Sequence, residues 1–159
     1  MTAVRALIVC FSYHHKNTLK IAAAIANILD APVKAPSEVD PNTLADYYLV
    51  GFGSLIAFGK HHKTLLEFAD KLPNVDGKKA FIFSTSGQTG HAAKFHKQLR
   101  EKLQVKGYNI VGEFNCAGFD SYGLTKIVGG IQKGHPDEED LKAAEAFAQT
   151  LCNLWKLEV

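Results

Sequence analysis

The sequence predicts a single-domain α/β fold, in which an open, doubly wound sheet of five parallel strands carries helices on both faces. Short apolar runs recur along the chain and apolar patterns of helical spacing separate them, which is the alternation that builds a parallel sheet. The 159 residues are enough for one hydrophobic core. Right-handed crossovers then favour the strand order 2-1-3-4-5 within one domain spanning residues 1–159.

Five segments are predicted to be strands. Four of them are continuous apolar runs that end in small or polar residues, as expected where helices cover both faces of a sheet. The other segment is weaker, and its Pro32 suits an edge strand because proline lacks the N–H that a central strand donates. In chain order the predicted strands are Ala6–Phe11, Pro32–Ala35, Tyr47–Phe52, Ala80–Phe83 and Tyr108–Phe114.

Four helices are predicted from apolar residues at helical spacing. Three lie between strands, with their apolar positions within 21–29, 65–72 and 92–103, and Gly107 is well suited to end the third. The last opens at Pro136, and the acidic run Asp137 to Asp140 falls in its first turn, where the helix dipole favours negative charge. We therefore interpret this acidic cluster as a helix start.

Composition and charge narrow the function classes. Hydrophobic residues make up 47% and charged residues 21% of the chain, and the net charge is +2, so neither a nucleic-acid partner nor a membrane partner is indicated. The cysteines Cys10, Cys116 and Cys152 are too dispersed to suggest disulfides or a zinc site. The first residues show no cleavage site, and we expect a cytoplasmic protein.

Ligands of open α/β sheets bind beyond the carboxyl ends of the strands. The candidate binding segments are therefore the three loops that follow the first, third and fourth predicted strands. The first loop, Ser12–Thr18, runs into a helix N-terminus with hydroxyls and backbone N–H groups, a place that suits a phosphate. It lacks the glycine patterns of dinucleotide and triphosphate sites. An ordinary polar loop capped by Asn17 or Thr18 is the alternative.

The second and third loops follow the third and fourth predicted strands. The second, Gly53–His62, exposes Ile56, Ala57 and Phe58, which a flat aromatic ligand would cover; a loop folded on the core or a dimer contact is the alternative. The third, Ser84–Gly90, offers hydroxyl and backbone donors to a ring edge, or forms an ordinary polar turn.

Four stretches of the sequence resemble the flavodoxin family, particularly its small bacterial and archaeal members. They are SYHHKNTLKIAAAIA, YLVGFGSLIAFGKHHKTLLEF, KKAFIFSTSG and GFDSYGLTKIVGGIQKGHPDEEDLKAAEAFA. The resemblance covers nearly the whole chain and implies a flavodoxin-like fold that binds FMN. It implies that Ser12–Thr18 wraps the phosphate and that Ser54–Lys60 and Ser84–Gly90 flank the flavin ring.

The resemblance assigns cofactor-binding residues in all three loops and one beyond them. Asn17 and Thr18 match the family's phosphate motif, whereas Lys16 stands in place of its glycine and His15 in place of its threonine. Phe58 is the candidate to stack on the ring, and Phe119 or Tyr122 could cover the other edge. The full set is Ser12, Tyr13, His14, His15, Lys16, Asn17, Thr18, Ser54, Leu55, Ile56, Ala57, Phe58, Gly59, Lys60, Ser84, Thr85, Ser86, Gly87, Gly90 and Phe119.

The histidines and lysines near these loops are either solvated or in contact with a ligand. We expect no metal site, because adjacent histidines rarely share an ion and no carboxylate accompanies them, so His14, His15, His61 and His62 are expected to be solvated or to face phosphate. His96 is expected to be a packing residue. Lys16 would balance the phosphate charge, and Lys60 lies near the ring or in solvent.

Three functions remain open at this point. The favoured one is electron transfer by bound FMN between unidentified redox partner proteins, with no catalytic residue assigned. The alternatives are a small FMN-dependent NAD(P)H reductase with a quinone or flavin acceptor, and a flavin-free binding module. We expect a monomer or a weak homodimer. The net charge of +2 argues against the acidic docking surface that flavodoxins commonly use.

Overall fold

The structure is a computed structural model that describes residues 5–12, 17–118 and 135–156, the side chains of 155 and 156 excepted. Its strands are β1 (Ala6–Phe11), β2 (Val33–Lys34), β3 (Leu49–Ala57), β4 (Lys60–His61), β5 (Lys78–Ser86) and β6 (Tyr108–Ala117). Its helices are α1 (Asn17–Leu29), α2 (Lys63–Asp70), α3 (Ala92–Phe95), α4 (Lys97–Val105) and α5 (Glu138–Lys156). Short 3-10 helices at Pro36–Glu38 and Pro41–Asp46 connect β2 to β3.

The sheet has the predicted architecture. Its parallel strands run in the order β2-β1-β3-β5-β6, which is 2-1-3-4-5 when only the five predicted strands are counted, so the fold-class prediction is confirmed. The short β4 is an addition, and it pairs antiparallel with β3 alone. The carboxyl ends of β1, β3 and β5 therefore lie side by side, and the three loops expected to bind a ligand start from adjacent places.

Two apolar cores lie on the two faces of the sheet. The one under α1 and α5 includes Ile8, Ile25, Phe81, Phe83 and Leu151, all buried. The one under α2 and α4 includes the equally buried residues Leu7, Val50, Phe52, Leu65 and Leu99. Covered faces on both sides explain why the strands read as continuous apolar runs.

The acidic run Asp137 to Asp140 forms the start of α5, as the sequence predicts. The Asp140 N–H donates to Asp137 Oδ1 at 2.9 Å, and the Asp137 N–H donates to Asp140 Oδ2 at 2.9 Å. The two carboxylates thus satisfy N–H groups that a helix N-terminus leaves unpaired. Within the described residues no helix is long and apolar enough to cross a membrane.

Strand ends are where the sequence prediction is wrong. The strands β3, β5 and β6 run on past the predicted ends at Phe52, Phe83 and Phe114. The register pairs Ser54 with Ser84 and Ser84 with Asn115, so polar residues continue the ladder across three strands. The predicted third helix is also divided at His96 into α3 and α4.

Candidate functional site

The first predicted loop leads into the N-terminus of α1, and its described residues bind each other there. Ser12, at the end of β1, accepts a hydrogen bond on its Oγ from the Leu19 N–H in the first turn of α1, at 3.3 Å. This turn contains no acidic residue, so the positive end of the helix dipole is not compensated from within the helix. Tyr13, His14, His15 and Lys16 lie outside the described residues, as do Phe119 and Tyr122.

A buried hydroxyl pair joins α1 to the end of β5. Thr18 Oγ1 and Thr85 Oγ1 are 2.7 Å apart, and both side chains are buried. Gly118, just after β6, packs so closely that a Cβ there would lie 2.9 Å from Thr85 Cβ and 3.2 Å from Asn17 Nδ2. The Gly118 N–H also donates to the Ser86 carbonyl at 3.0 Å. Thr18 and Thr85 therefore hold the edge together, and their hydroxyls are already engaged.

The second predicted loop is a β-hairpin rather than an irregular loop. Ile56 pairs with His61 and Ala57 pairs with Lys60, so β3 and β4 leave only Phe58 and Gly59 at the tip. Both tip residues have positive φ, 56° and 79°, as the tightest hairpin turns require. Phe58 is 98% exposed, the highest value among the exposed large hydrophobic residues of the described chain. The hairpin thus holds a phenyl ring in solvent at this edge.

The base of the hairpin is closed by Ser54 and His61. Ser54 Oγ donates to the Leu55 carbonyl at 2.8 Å and accepts from the His62 N–H at 3.1 Å. Its proton is thereby used, so His61 Nδ1, 2.8 Å away, is the donor to Ser54 Oγ. Ser54 is buried and its hydroxyl is engaged in this turn.

His61 is a buried, neutral imidazole. Burial, and then the neighbouring His96, lower its pKa well below the usual value. Its Nε2 has no hydrogen-bond partner among the described residues, although the side chain is only 1% exposed. The expectation that His61 is solvated is wrong, because the hairpin turns its side chain inward against His96, with ring centroids 5.0 Å apart.

His62 continues the chain into α2. Its Nδ1 accepts the Thr64 N–H at 3.1 Å and so caps the helix. Its ring stacks on Phe11 at the end of β1, with centroids 4.3 Å apart. Burial, and then Lys63, lower its pKa, whereas Glu67 acts in the opposite direction. His62 therefore has a local structural role, linking β1 to the start of α2.

The third predicted loop is shorter than expected because β5 continues to Ser86. Ser84 is fully buried, and its Oγ lies 2.6 Å from His96 Nε2. Asn115 Nδ2 donates to Ser84 Oγ at 2.8 Å and to Ser86 Oγ at 3.1 Å, and the Ser86 hydroxyl donates to the Gln88 carbonyl. The segment left for a ligand is 87–90, where Gly87 is half-buried and Gly90 exposed with φ +84°.

His96 connects this strand end to an ion pair on the sheet. Its Nδ1 donates to Glu113 Oε1 at 2.8 Å, and Arg100 donates to both carboxylate oxygens at 2.7 and 2.8 Å. Burial lowers the pKa of His96 against the opposing effect of Glu113, so the ring is neutral at pH 7 and accepts the Ser84 proton. Burial alone would raise the pKa of Glu113, but the hydrogen bonds from Arg100 and His96 outweigh it.

We call Ser54, His61, Ser84, His96, Glu113 and Asn115 the polar layer. It lies on the α2 and α4 face, just inside the carboxyl edge of the sheet. Sequence analysis placed His96 as a packing residue but missed Glu113, Arg100 and Asn115. The available signal was a glutamate inside an apolar strand, a residue that is buried only when paired.

A cavity of about 320 Å³ opens beside Ser12 on the β2 side of β1. Of the predicted site residues that the structure describes, only Ser12 lines it, together with Phe11, Leu19, Glu38 and Thr64 among others. The structure therefore brings Ser12, Asn17, Thr18, the hairpin tip and segment 87–90 to one edge. The side chains of Ser54, Ser84 and Thr85 point inward and are buried. Along the hairpin, residues 55–57 are half-buried and residues 58–60 are exposed.

Comparison with known proteins gives one close relative and many structural neighbours. No protein-family model matches this sequence. The uncharacterized protein MJ0298 of Methanocaldococcus jannaschii is 49% identical over 148 residues, which cover 93% of this chain and 98% of that protein. A flavodoxin from the domain Archaea superposes with a TM-score of 0.68 at 17% identity, over 96% of this chain and 99% of that one. Oxidised flavodoxin 2 from Bacillus cereus superposes with a TM-score of 0.70 at 22% identity, over 94% and 99%.

The two kinds of likeness establish different things. The solved flavodoxins show the fold, and they confirm the resemblance stated from the sequence at that level. The Methanocaldococcus protein is similar enough, over enough of both chains, to show a common family. The chain therefore belongs to the family of that archaeal protein and has the flavodoxin-like fold.

Proposed function

We propose that this protein binds FMN non-covalently at the carboxyl edge of its sheet and acts in electron transfer. The observation that carries the proposal is Phe58, an aromatic ring 98% exposed at the tip of a two-residue hairpin turn. A fully solvated phenyl ring is costly in water and gains by covering a flat apolar partner. The flavodoxin-like neighbours support the same ligand class.

The phosphate end of FMN fits the start of α1. The helix has 13 residues, enough for a developed dipole, and its first turn holds no carboxylate that would repel an anion. The Ser12 Oγ accepts a hydrogen bond from the Leu19 N–H. Its hydroxyl proton would be the group that binds a phosphate oxygen at this turn. The residues that would complete the phosphate seat are Tyr13 to Lys16, as the family resemblance implies.

The flavin ring would lie between the hairpin tip and segment 87–90. Phe58 would pack on one face of the ring, and the backbone of 87–90 would offer hydrogen bonds to its polar edge. The polar layer and the Thr18–Thr85 pair would hold both supports in place, since these side chains join β3 to β4, β6 to β5 and α1 to β5. FMN, when bound, supplies one-electron and two-electron redox chemistry.

Titration with two flavins tests the proposal. FMN should bind at least tenfold more tightly than riboflavin, because only FMN carries the phosphate that the start of α1 would hold. Quenching of flavin fluorescence gives both dissociation constants. A colourless protein that binds neither flavin would overturn the proposal, and equal affinities would remove the phosphate from it.

A reductase is the alternative, and a turnover assay separates it from electron transfer. The FMN-loaded protein is mixed with NAD(P)H and a quinone, and absorbance at the nicotinamide band is followed. Electron transfer between proteins predicts no sustained oxidation of NAD(P)H. Sustained oxidation would favour the reductase.

A further inference from the structure

Four exposed lysines lie around the base of the hairpin. Lys60 is on β4, Lys63 is the first residue of α2, Lys94 is on α3 and Lys97 is the first residue of α4. We call these four residues the basic rim. None of them takes part in an ion pair among the described residues, whereas Lys102, further along α4, pairs with Asp70 at 2.7 Å.

The fold brings the rim together from two distant segments. The hairpin strand β4 packs against both α3 and α4. The ring of His61, next to Lys60, lies 5.0 Å from the ring of His96, next to Lys97. Lys60 and Lys97 are thus adjacent to two side chains in direct contact, and Lys94 is one turn before Lys97.

Negative charge is missing from both segments. Residues 47–66 and 77–100 contain no aspartate or glutamate. The first carboxylates, Glu67 and Glu101, each follow a rim lysine by one helical turn and lie further from the carboxyl edge. The rim at the edge itself therefore has only positive side chains in these segments.

The position of Lys63 and Lys97 runs against helix electrostatics. Both occupy the first position of a helix, where the dipole favours carboxylates and disfavours cations. By contrast α5 begins with Glu138, Glu139 and Asp140, as the dipole favours. Two helices at the same edge thus begin with a lysine that the helix dipole disfavours. This departure from the helix preference indicates that the positive charge serves a function.

The basic rim lies on one face of the sheet. The helices α2 and α4 cover one side of the sheet, and α1 and α5 cover the other. The acidic start of α5 is therefore on the opposite face from the rim. The net charge of the whole chain is only +2, so the basic rim is a local concentration of positive charge. A partner protein would experience a positive electrostatic potential there.

We propose that the basic rim docks a redox partner protein that presents an acidic surface. The inference rests on the proposed function, because docking at this edge would bring the partner's redox centre close to FMN. Phe58, two residues before Lys60, would add an apolar contact beside the charges, and aromatic residues are enriched in protein interfaces. Complementary charge would steer the encounter and fix the orientation of the two proteins.

The test measures binding of an acidic iron–sulfur ferredoxin by titration calorimetry. The rim variant is Lys63→Glu/Lys97→Glu, and it should fold at least as well as the wild type because it places carboxylates at helix starts. The control variant, Lys34→Glu/Lys71→Glu, makes the same change of net charge at exposed lysines on β2 and after α2. Both variants keep every residue assigned to FMN.

We expect the wild-type dissociation constant to rise about tenfold or more between about 20 and about 200 mM salt. The rim variant should bind about tenfold or more weakly at low salt, and the control variant should stay within about twofold of the wild type. Amide shifts on ferredoxin addition should cluster at 58–63 and 91–98. Equal losses in both variants, or shifts elsewhere, would overturn the inference.

Two further measurements separate the possible failures. FMN titration of all three proteins tests the cofactor independently, so an FMN-binding protein with no rim-dependent ferredoxin binding would refute the docking surface alone. Absence of FMN binding would refute the proposed function whatever the ferredoxin does. Duplex DNA and phosphatidylglycerol vesicles are titrated in parallel, and rim-dependent binding to either of them without ferredoxin binding would also overturn the inference.

Discussion

Phe58 has two features that do not stabilise the fold. Its backbone has φ 56°, a region that residues other than glycine seldom adopt, and its ring is 98% exposed. The hairpin register imposes the backbone angle, since only two residues connect Ala57 to Lys60. Glycine or asparagine would suit the turn better, so the aromatic side chain is best explained by what it contacts when a ligand is bound.

Phe58→Ala should therefore weaken FMN binding by about 1–3 kcal/mol, the range of aromatic stacking on flat heterocycles. The melting temperature of the apoprotein should change little, because a ring this exposed contributes little packing. Fluorescence titration and thermal melts measure the two effects. Val105→Ala, at an exposed valine that ends α4, is the matched control. An unchanged dissociation constant would exclude stacking.

Glu113 is the residue on which the polar layer depends. Its carboxylate accepts from His96 and twice from Arg100, with about a quarter of the side chain exposed. Hydrogen bonds to a charged group typically contribute about 1.5–3 kcal/mol each when well shielded. Partial exposure reduces this, and an amide in place of the carboxylate keeps one acceptor for His96.

Glu113→Gln should lower the free energy of unfolding by about 1–2 kcal/mol, because Arg100 loses its charged partner. It should also lower the pKa of His96 further, since Glu113 raises that pKa against burial. Urea denaturation and NMR titration of the histidines provide the two readouts. Glu67→Gln, at an exposed position on α2, should change neither the stability nor the His96 pKa. A His96 pKa that does not move would show that the two side chains are uncoupled.

At the scale of elements, the sequence predicts the strand cores but not their ends. Apolar runs locate four of the five main strands, because burial on both faces leaves a continuous signal, whereas the edge strand β2 corresponds to a weaker segment. The extensions through Ser54, Ser84 and Asn115 give no such signal. Ser54 and Ser84 are buried against His61 and His96 from other elements, and Asn115 donates to Ser84. A single-sequence pattern cannot show that a serine far along the chain will find an imidazole.

The candidate site is predictable to the same extent. Its location at the carboxyl ends follows from topology, and Ser12 and Phe58 do lie at that edge. The inward direction of Ser84 and Thr85 does not follow, because it depends on where β5 ends. A strand that runs on to Ser86 keeps these hydroxyls within the sheet, whereas a loop from residue 84 would have freed them.

Close packing between neighbouring strands explains the two glycines in β3. Gly53 pairs with Phe83, and a Cβ at Gly53 would lie 2.2 Å from two atoms of the Phe83 ring. Gly51 has the same relation to Phe81, at 2.2 Å. Both rings are fully buried, so they have no solvent into which to retreat.

Gly53→Ala should destabilise the protein by about 1–3 kcal/mol through overpacking. Combining it with Phe83→Leu should cost less than the sum of the single changes, because the smaller side chain vacates the space that the new methyl group needs. Urea denaturation of the four proteins closes this double-mutant cycle. Strict additivity would mean that the ring is not what excludes the methyl group.

At the scale of the whole molecule, the polar layer makes the two faces of the sheet unequal. Both faces have an apolar core, but the one under α2 and α4 ends below two buried histidines, His61 and His96. Burial is the main cause that lowers the pKa of each ring. In the unfolded chain both rings regain an ordinary pKa near 6.5. Acid therefore protonates the unfolded state before the folded one.

The free energy of unfolding should consequently be highest above about pH 6.5. Below that pH it should fall by up to about 1.4 kcal/mol per pH unit for each ring. The lowered pKa of His62 acts with the same sign, as does that of Glu113 at lower pH, whereas the raised pKa of the half-buried His135 acts weakly in the opposite direction. Urea denaturation between pH 7.5 and pH 5 measures the slope. His61→Gln should flatten it, because one of the histidines with a lowered pKa is removed. A free energy of unfolding that stays constant down to pH 5 would show that neither buried imidazole resists protonation in the folded protein.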